Sequence, residues 1–306
     1  MKVLAIVITF NRADLLKKSL ESLKSSFFVP DILVVDNGST DSTEDFIKNN
    51  HKDIFYLKLE ENLGPAGGAE AGQRFALQEG YEAIWMLDDD SIVSKEALST
   101  LLEYYERLKS KNKKIFLSSV AYTDLDFKKP MYNFLKYNPN TGLTSKIKDA
   151  LFNEEYFEYD IAPMNGLFIP KEVLQDVGTF NGKLWGWYDD TEFVLRCRSK
   201  GYRGFAITKS KIYHPVEFRK HVKIFGRTFN ILSGRPFRMY LGTRNNVYIQ
   251  KKFLKTLNFY FVFLPVFFFK RLISILLFYD NRGVFLKNFL NGVVDGIKGN
   301  LEVNNV

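Results

Sequence analysis

Five short apolar runs alternate with helical patterns over residues 1–122, and this alternation limits the fold more than any other feature of the chain. Each run is rich in Val, Ile and Leu, which is typical of a strand that is buried on both faces. Strands that alternate with helices favour a parallel sheet, because a helix supplies the crossover that each parallel connection needs. The predicted strands are 3–10, 31–36, 54–60, 83–88 and 115–122. The predicted fold class is therefore α/β, with a doubly wound and mostly parallel sheet.

The remaining apolar patterns fill in the rest of this fold. Residues 123–160 are polar, aromatic and irregular, which predicts an inserted loop or hairpin. The helices between the first five strands are predicted at 14–25, 39–50, 67–79 and 94–109. After the insertion, the pattern predicts a strand at 164–170, helices at 171–178 and 189–200, and a last strand at 203–215.

Polar residues and glycines collect where the first four strands end. The carboxyl ends of parallel strands meet at one edge of a sheet, and ligands of such sheets bind there. Glycines after the third strand let the backbone approach a diphosphate, and the helix that follows favours negative charge. The sequence has neither the G-x-G-x-x-G nor the G-x-x-x-x-G-K-[ST] pattern, which disfavours a dinucleotide fold and a P-loop. The four strand ends read TFNR (9–12), DNGSTD (36–41), NLGPAGG (62–68) and DDDS (88–91).

Asp88, Asp89 and Asp90 give the sharpest chemical signal in the chain. Three adjacent carboxylates repel one another unless a cation lies between them. Residues i and i+2 of a strand point the same way, so Asp88 and Asp90 are candidates to share one hard divalent ion. The alternative is a solvated acidic turn that caps the next helix. The three other polar strand ends favour the metal site.

A second cluster reads WGWYDDTE at residues 185–192. The helix macrodipole stabilises acids at a helix start, so capping explains one of Asp189 and Asp190. Capping does not explain Trp185 and Trp187, which are suited to packing against the apolar face of a sugar. His214 closes the last predicted strand. A lone histidine is more often structural than a ligand, but its place after a sheet strand makes it a candidate third metal ligand.

Charge and apolar residues are distributed unevenly. The chain carries a formal net charge of +8, yet residues 201–306 hold 18 Lys and Arg against 4 Asp and Glu. The basic part is also the most apolar, with NFYFVFLPVFFF at 258–269, so a lipid surface is the favoured anionic partner. Nucleic acid is excluded as a partner, because no recognised motif is present and residues 1–200 are acidic. The single cysteine, Cys197, excludes a disulfide framework and a multi-cysteine zinc site.

The apolar part of the basic region predicts helices that lie in the membrane interface. The longest uncharged run, 256–269, has 14 residues, whereas a spanning helix needs about 20. The alternative is that these aromatic side chains form an ordinary helical core or a homodimer interface. At the N-terminus, the first apolar run ends after eight residues, which predicts a strand and no signal peptide, with this end in the cytoplasm.

The ordered set of motifs resembles the family 2 glycosyltransferases with the GT-A fold, over about residues 1–215. The resemblance adds MNGLFIP (164–170) and WGWYDDTEFVLR (185–196) to the four strand ends. It implies a GT-A catalytic domain over 1–215, followed by a basic, aromatic, helical region over 216–306 that associates with membrane. It also implies direct displacement with inversion, with Asp190 as the base and Asp88 and Asp90 as ligands of Mn²⁺ or Mg²⁺. The implied donor-binding residues are Thr9, Phe10, Arg12, Asp36, Asn62, Gly67, Asp88 and Asp89.

Within that family, the D-D-D, A-G-G and W-x-D-D-x-E-F strings most resemble bacterial galactofuranosyltransferases, which use UDP-galactofuranose. The resemblance implies His214 as the third metal ligand, acceptor contacts from Trp185, Trp187 and Asp189, and a lipid-linked or glycan acceptor at the cytoplasmic face of the membrane. Rhamnosyltransferases, which use dTDP-rhamnose, are the alternative within the family. A nucleotidyltransferase is disfavoured, because no basic glycine-rich loop follows the first strand. A non-catalytic sugar-binding module at the membrane is the alternative outside enzymes.

Overall fold

The protein is described here by a computed structural model. It describes residues 1–131, 133–215 and 235–302, and the backbone of 220–224 and 227–231. The chain divides into two compact units. The first unit holds Met1–Lys136 and Ser145–Pro215, and the second holds Tyr137–Thr144 and Val216–Val306.

A nine-stranded sheet forms the centre of the first unit. Its strand order is β3-β2-β1-β4-β10-β6-β11-β5, and β9 pairs with β11. In chain order, the described strands are β1 (Val3–Thr9), β2 (Asp31–Asp36), β3 (Phe55–Lys58), β4 (Ala83–Asp88), β5 (Ile92–Val93), β6 (Ile115–Tyr122), β7 (Leu135–Tyr137), β8 (Thr144–Lys146), β9 (Tyr156–Tyr159), β10 (Leu167–Pro170), β11 (Arg203–Tyr213), β12 (Lys220–Ile224) and β13 (Arg227–Ile231).

The directions of the strands confirm the predicted α/β class and add an antiparallel part. Strands β3, β2, β1 and β4 run parallel, and so do β6 and β11. Strand β10 lies antiparallel between β4 and β6, and β5 and β9 pair antiparallel with β11. The sequence pattern predicts a strand here but not its position in the sheet, because β4 and β6 are both distant from β10 in the sequence.

Burial on both faces explains why the first strands read as continuous apolar runs. Every residue of β1 is buried, and its side chains alternate between the two faces of the sheet. One layer of core contains Val3, Ala5 and Val7, and the other contains Leu4, Ile6 and Ile8. Helices cover both faces, so neither face needs polar side chains.

Six helices of the first unit follow the predicted pattern. They are α1 (Ala13–Lys24), α2 (Thr43–Asn50), α3 (Gly64–Gln78), α4 (Ala97–Lys109), α5 (Lys171–Val177) and α6 (Asp189–Ser199). Helix α3 begins three residues before the predicted start at Gly67, with Pro65 in its first turn, where its fixed φ and missing N–H are tolerated. Gly67 is therefore buried inside the helix instead of in the turn before it.

The inserted segment 123–160 contains the predicted hairpin. Strands β7 and β8 form a two-stranded sheet, a short 3-10 helix follows at Asp149–Asn153, and β9 then joins the main sheet through β11. The insertion thus ends by adding a strand to the core, which its irregular composition did not indicate.

The second unit contains three long helices and the β12–β13 pair. The helices are α7 (Pro236–Phe253), α8 (Thr256–Phe278) and α9 (Arg282–Lys298). Phe259, Phe263, Ile275 and Phe289 form part of their common core. The aromatic residues predicted to face lipid or a helical core are therefore divided between that core and the exposed surface, since Phe261 and others on α8 stay exposed.

The observed length of helix α8 exceeds the length estimated from the sequence. Its 23 residues continue through Pro265, Lys270 and Arg271, which the sequence analysis took as interruptions. By length and composition alone, α8 is long and apolar enough to cross a membrane.

Candidate active site

The strand register places the predicted strand ends at one edge of the sheet. Thr9, the last residue of β1, pairs with Asp36, the last residue of β2. On the other side of β1, Ile8 pairs with Asp88, the last residue of β4. Three of the four polar segments predicted from the sequence therefore begin at the same level of neighbouring parallel strands.

A short strand brings His214 to the acidic turn. After Asp88 to Asp90, the chain enters β5, and Ile92 pairs there with Tyr213 at the end of β11. His214 Nε2 lies 3.3 Å from Asp88 Oδ2 and 3.3 Å from Asp90 Oδ1. Candidate ligand atoms of the three residues lie within 4.8 Å of one another.

The chemistry of this cluster fits a divalent ion. Asp90 Oδ1 is buried and makes no hydrogen bond within the described residues. Burial raises the pKa of Asp90, and the neighbouring Asp88 carboxylate adds to the effect. Burial opposes charge on the His214 ring, but Asp88 and Asp90 hold the pKa of His214 above its ordinary value. Two carboxylates and one imidazole are a suitable ligand set for Mn²⁺, and such an ion would offset their mutual repulsion.

Asp89 points away from this ligand set. Its side chain accepts hydrogen bonds from Thr9 Oγ1 at 2.8 Å and from Arg12 Nη1 at 3.1 Å. Arg12 Nη1 also lies 3.1 Å from Asp90 Oδ2, so one guanidinium joins two of the three acids. Burial raises the pKa of Asp89 to about 6 in spite of these partners. Asp89 and Thr9 fix the turn, and their predicted contacts with the donor stay predictions.

The second strand end is held by hydrogen bonds within the chain. Asp36 is fully buried and accepts hydrogen bonds from the Ser39 N–H and the Tyr56 hydroxyl. Asn62 accepts from the Gly64 N–H at 2.9 Å.

Phe10 is 39% exposed next to this edge of the sheet, so its side chain is available to a base or a sugar.

Two asparagines outside the predicted site hold its loops in place. Asn37 Nδ2 donates to Gly64 O at 2.8 Å, which fixes the glycine-rich turn against β2. Asn165 Oδ1 accepts from Ser91 Oγ at 3.0 Å and from the Asp88 N–H at 3.3 Å. Asn37 lies in the DNGSTD string and Asn165 in MNGLFIP, so the motifs contained both residues but did not indicate what they hold.

Asp189, which is buried, and Asp190, which is half-buried, open α6. Asp190 Oδ1 accepts from the Thr191 N–H at 2.6 Å and from Thr191 Oγ1 at 3.2 Å. Burial raises the pKa of both carboxyls, and the charge on Asp88 raises both further. A carboxylate with a raised pKa is a stronger base than an exposed aspartate.

The aromatic residues before α6 adopt an unusual backbone. Trp185, Trp187 and Tyr188 have φ values of 63°, 56° and 66°, a region that costs energy for residues other than glycine. The rings of Trp185 and Trp187 stack with centroids 6.4 Å apart. Gly64 lies so close that a Cβ there would stand 2.0 Å from Trp185 O. The surrounding structure therefore holds a strained segment immediately before the two acids.

Comparisons with known proteins agree with this fold. Residues 4–151 match the family described as Glycosyl transferase family 2. The dTDP-rhamnosyl transferase RfbF of Shigella flexneri is 28% identical over 252 residues, which cover 82% of this chain and 80% of that protein. The galactofuranosyltransferase GlfT1 of Mycolicibacterium smegmatis is 37% identical over 102 residues, about a third of each chain: 33% of this one and 34% of that one.

A solved structure shows the same architecture. The crystal structure of GalNAc-T7 with UDP, GalNAc and Mn²⁺ superimposes with a TM-score of 0.60 at 12% identity, covering 81% of this chain and 47% of that one. The structure thus has the predicted GT-A fold. Its residues 4–151 form a domain of glycosyl transferase family 2, as the motifs predicted.

Proposed function

We propose that this chain is an inverting, metal-dependent glycosyltransferase, with residues 1–215 as its catalytic domain. The observation that carries the proposal is the Asp88, Asp90 and His214 cluster at the sheet edge where the polar strand ends meet. A divalent ion held by these three residues would stabilise the charge of the departing nucleotide diphosphate. Thr9, Phe10, Arg12, Asp36, Asn62 and Gly67 are the proposed surroundings of the donor.

Asp190 is the proposed base. Its raised pKa suits it to accept the proton of an acceptor hydroxyl while that oxygen attacks the anomeric carbon. Trp185 and Trp187 lie just before it in the chain and offer stacked rings to the apolar face of the acceptor. Asp189, which is 6% exposed, is placed to orient the acceptor or the helix start.

The proposed donor is UDP-galactofuranose. The D-D-D and W-x-D-D-x-E-F strings support it, as does the 37% identity to a galactofuranosyltransferase over about a third of the chain. A specific observation favours dTDP-rhamnose as a second candidate, because the similarity to a dTDP-rhamnosyl transferase extends over 82% of the chain. Uridine and thymidine nucleotides present the same imide edge, so selection between the two donors depends on contacts with the sugar.

A competition between the two donors tests this choice. The protein is given equal UDP-galactofuranose and dTDP-rhamnose with Mn²⁺ and one bacterial lipid extract as acceptor, and the product mass is measured. We expect the acceptor to gain a hexose. A gain of a deoxyhexose would refute the donor but would leave the metal and the base in place. Absence of both products with every nucleotide sugar tried would count against the glycosyltransferase itself.

The proposed acceptor is a lipid-linked glycan reached from the cytoplasmic face of a bacterial membrane, in the synthesis of a surface glycan. Helix α8 supports this proposal, because its outward stripe is apolar and residues 235–302 carry eleven Lys and Arg against three Asp and Glu. The stripe includes Leu257, Phe261, Phe269, Ile273 and Leu277, each more than half exposed. We propose that α8 lies in the interface, with Lys270 and Arg271 at the headgroups. A homodimer through the same surface is the competing arrangement.

Vesicle binding tests the interface proposal with a matched pair of variants. Phe261 in α8 and Phe27 in the first unit are each 76% exposed. We expect Phe261→Glu to lower binding to vesicles of phosphatidylglycerol by about tenfold, since it removes one aromatic side chain that would be buried in the lipid. Phe27→Glu should bind like the unaltered protein. Equal binding of both variants would refute the role of α8, and a bound fraction that resists alkaline carbonate would show that α8 spans the bilayer.

A further inference from the structure

One face of α3 contacts the segment that leads into the proposed base. The Ala66 N–H donates to Trp185 O at 3.1 Å. One turn later, a carboxylate oxygen of Glu70 accepts from the Gly182 N–H at 3.1 Å. Positions 66 and 70 are four residues apart, so both contacts lie on the same side of the helix.

A third contact continues this face into the core. Gln73 is fully buried, and its Oε1 accepts from the Phe180 N–H at 2.8 Å. The ring of Phe180 stacks on that of Phe193 in α6, with centroids 4.5 Å apart. Helix α3 therefore holds the start of the segment 180–188 against the helix that begins with Asp189 and Asp190.

The glycines show how closely the two parts of the chain approach. A Cβ on Gly182 would stand 2.4 Å from the Glu70 carboxylate and 3.3 Å from Gly67 Cα. A Cβ on Gly64 would overlap the Trp185 backbone. At both points there is no room for a side chain between α3 and this segment. Glu70 therefore contacts the backbone of Gly182 directly, and a change in Glu70 acts on that backbone.

We propose that Glu70 is a positioning residue, whose carboxylate fixes the Gly182 backbone and thereby the acceptor-binding segment Trp185–Tyr188. The inference rests on the proposed function, since it assigns acceptor contacts to Trp185 and Trp187. Those residues have positive φ values and keep them only while their surroundings define the path of the chain. Loss of the hydrogen bond between the Gly182 N–H and Glu70 frees the backbone at the start of this segment. The candidate metal ligands keep their positions.

Glu70 has a matched control on the same helix. Arg74 pairs with the Glu70 carboxylate at 2.6 Å, on the oxygen that does not bind Gly182. Arg74→Ala removes this ion pair and keeps the Gly182 bond. Glu70→Ala removes both. Glu70→Gln keeps a side-chain oxygen that can accept from Gly182, and Glu70→Asp keeps the charge on a side chain too short to reach it.

Hydrogen exchange of the intact protein tests the first part of the proposal. Amides in the peptide 179–190 should exchange at least about tenfold faster in Glu70→Ala and Glu70→Asp, because one hydrogen bond to a charged group is lost. Arg74→Ala and Glu70→Gln should match the unaltered protein. Unchanged exchange in Glu70→Ala would overturn the proposal whatever the activity of the chain, whereas faster exchange in a chain that transfers no sugar would overturn only the proposed function.

Steady-state kinetics test the second part. With UDP-galactofuranose and a polyprenyl-diphosphate-linked glycan as acceptor, Glu70→Ala should raise the acceptor KM by about tenfold. The donor KM and the affinity for UDP should stay within about twofold, because Asn37 holds the glycine-rich turn at Gly64, and Glu70→Ala leaves that hydrogen bond in place. Equal rises of the donor and acceptor KM would show that Glu70 acts on the whole site, which would overturn a specific role in acceptor positioning.

Discussion

Replacement of Asp190 by Asn lowers the rate of sugar transfer by about 10²–10⁴-fold, the usual contribution of a general base. The change is nearly isosteric, but an amide does not accept the proton of the acceptor hydroxyl. UDP binding should be unchanged, because Asp190 is not among the residues proposed to surround the donor. The measurement is single-turnover transfer from a radiolabelled donor, with calorimetry for UDP. Full activity of the variant would favour the non-catalytic sugar-binding alternative.

The pH profile and the neighbouring acid provide the controls for this assignment. Burial raises the pKa of Asp190, so the base is neutral and inactive over a wider acidic range than an exposed aspartate. The rate should therefore fall as the pH decreases through a value above about 4, the ordinary pKa of an aspartate. This acidic limb should disappear in Asp190→Asn. Asp189→Asn should cost less, and the opposite order of the two effects would exchange the roles of Asp189 and Asp190.

Replacement of Asp90 by Ala lowers transfer by about 10²–10³-fold or more, the scale of losing one group that stabilises developing negative charge. The same loss should follow addition of EDTA to the unaltered protein. The structural reason is that Asp90 Oδ1 is buried, has no hydrogen-bond partner among the described residues, and faces His214 and Asp88 within the candidate ligand set. The measurement is Mn²⁺ affinity by calorimetry together with the transfer rate.

Two further variants separate metal binding from general damage. Asp126 is an exposed acid on the insertion and pairs with Lys128, so Asp126→Ala should keep both Mn²⁺ affinity and rate. His214→Ala should weaken Mn²⁺ binding less than Asp90→Ala, because two carboxylates remain. Undiminished turnover in EDTA would end the metal proposal, and unchanged Mn²⁺ affinity in His214→Ala would make that histidine structural.

Much of the first unit could be predicted because its signals are local. The strands of 3–9 and 83–88 are apolar runs, and a parallel βαβ order fixes which ends meet. The neighbouring positions of Asp36, Thr9 and Asp88 follow from that order and are observed in the register. The family domain over residues 4–151 was predicted for the same reason, since its motifs sit at those ends.

Other features could not be predicted, because they depend on partners that are distant in the sequence. Strand β5 has two residues and no periodicity to detect, yet it brings His214 to Asp90. Asp89 resembles its two neighbours in sequence, but Thr9 and Arg12 turn its carboxylate away from the ligand set. The start of α3 at Gly64 was missed because glycine disfavours helices, and here it is selected by the close approach of Trp185.

The sequence by itself determined the α/β fold, the edge of the sheet that carries the site and the residue types available there, because hydrophobic periodicity and strand-end chemistry are properties of short segments. Only the tertiary structure decided which carboxylates face one another, since that depends on side-chain contacts between strands far apart in the chain. It also decided that Gln73 and Glu70 on α3 hold the segment before Asp189. Burial, which raises the pKa of Asp190, is likewise a property of the folded chain, because the surrounding elements together reduce the contact of the carboxyl with water.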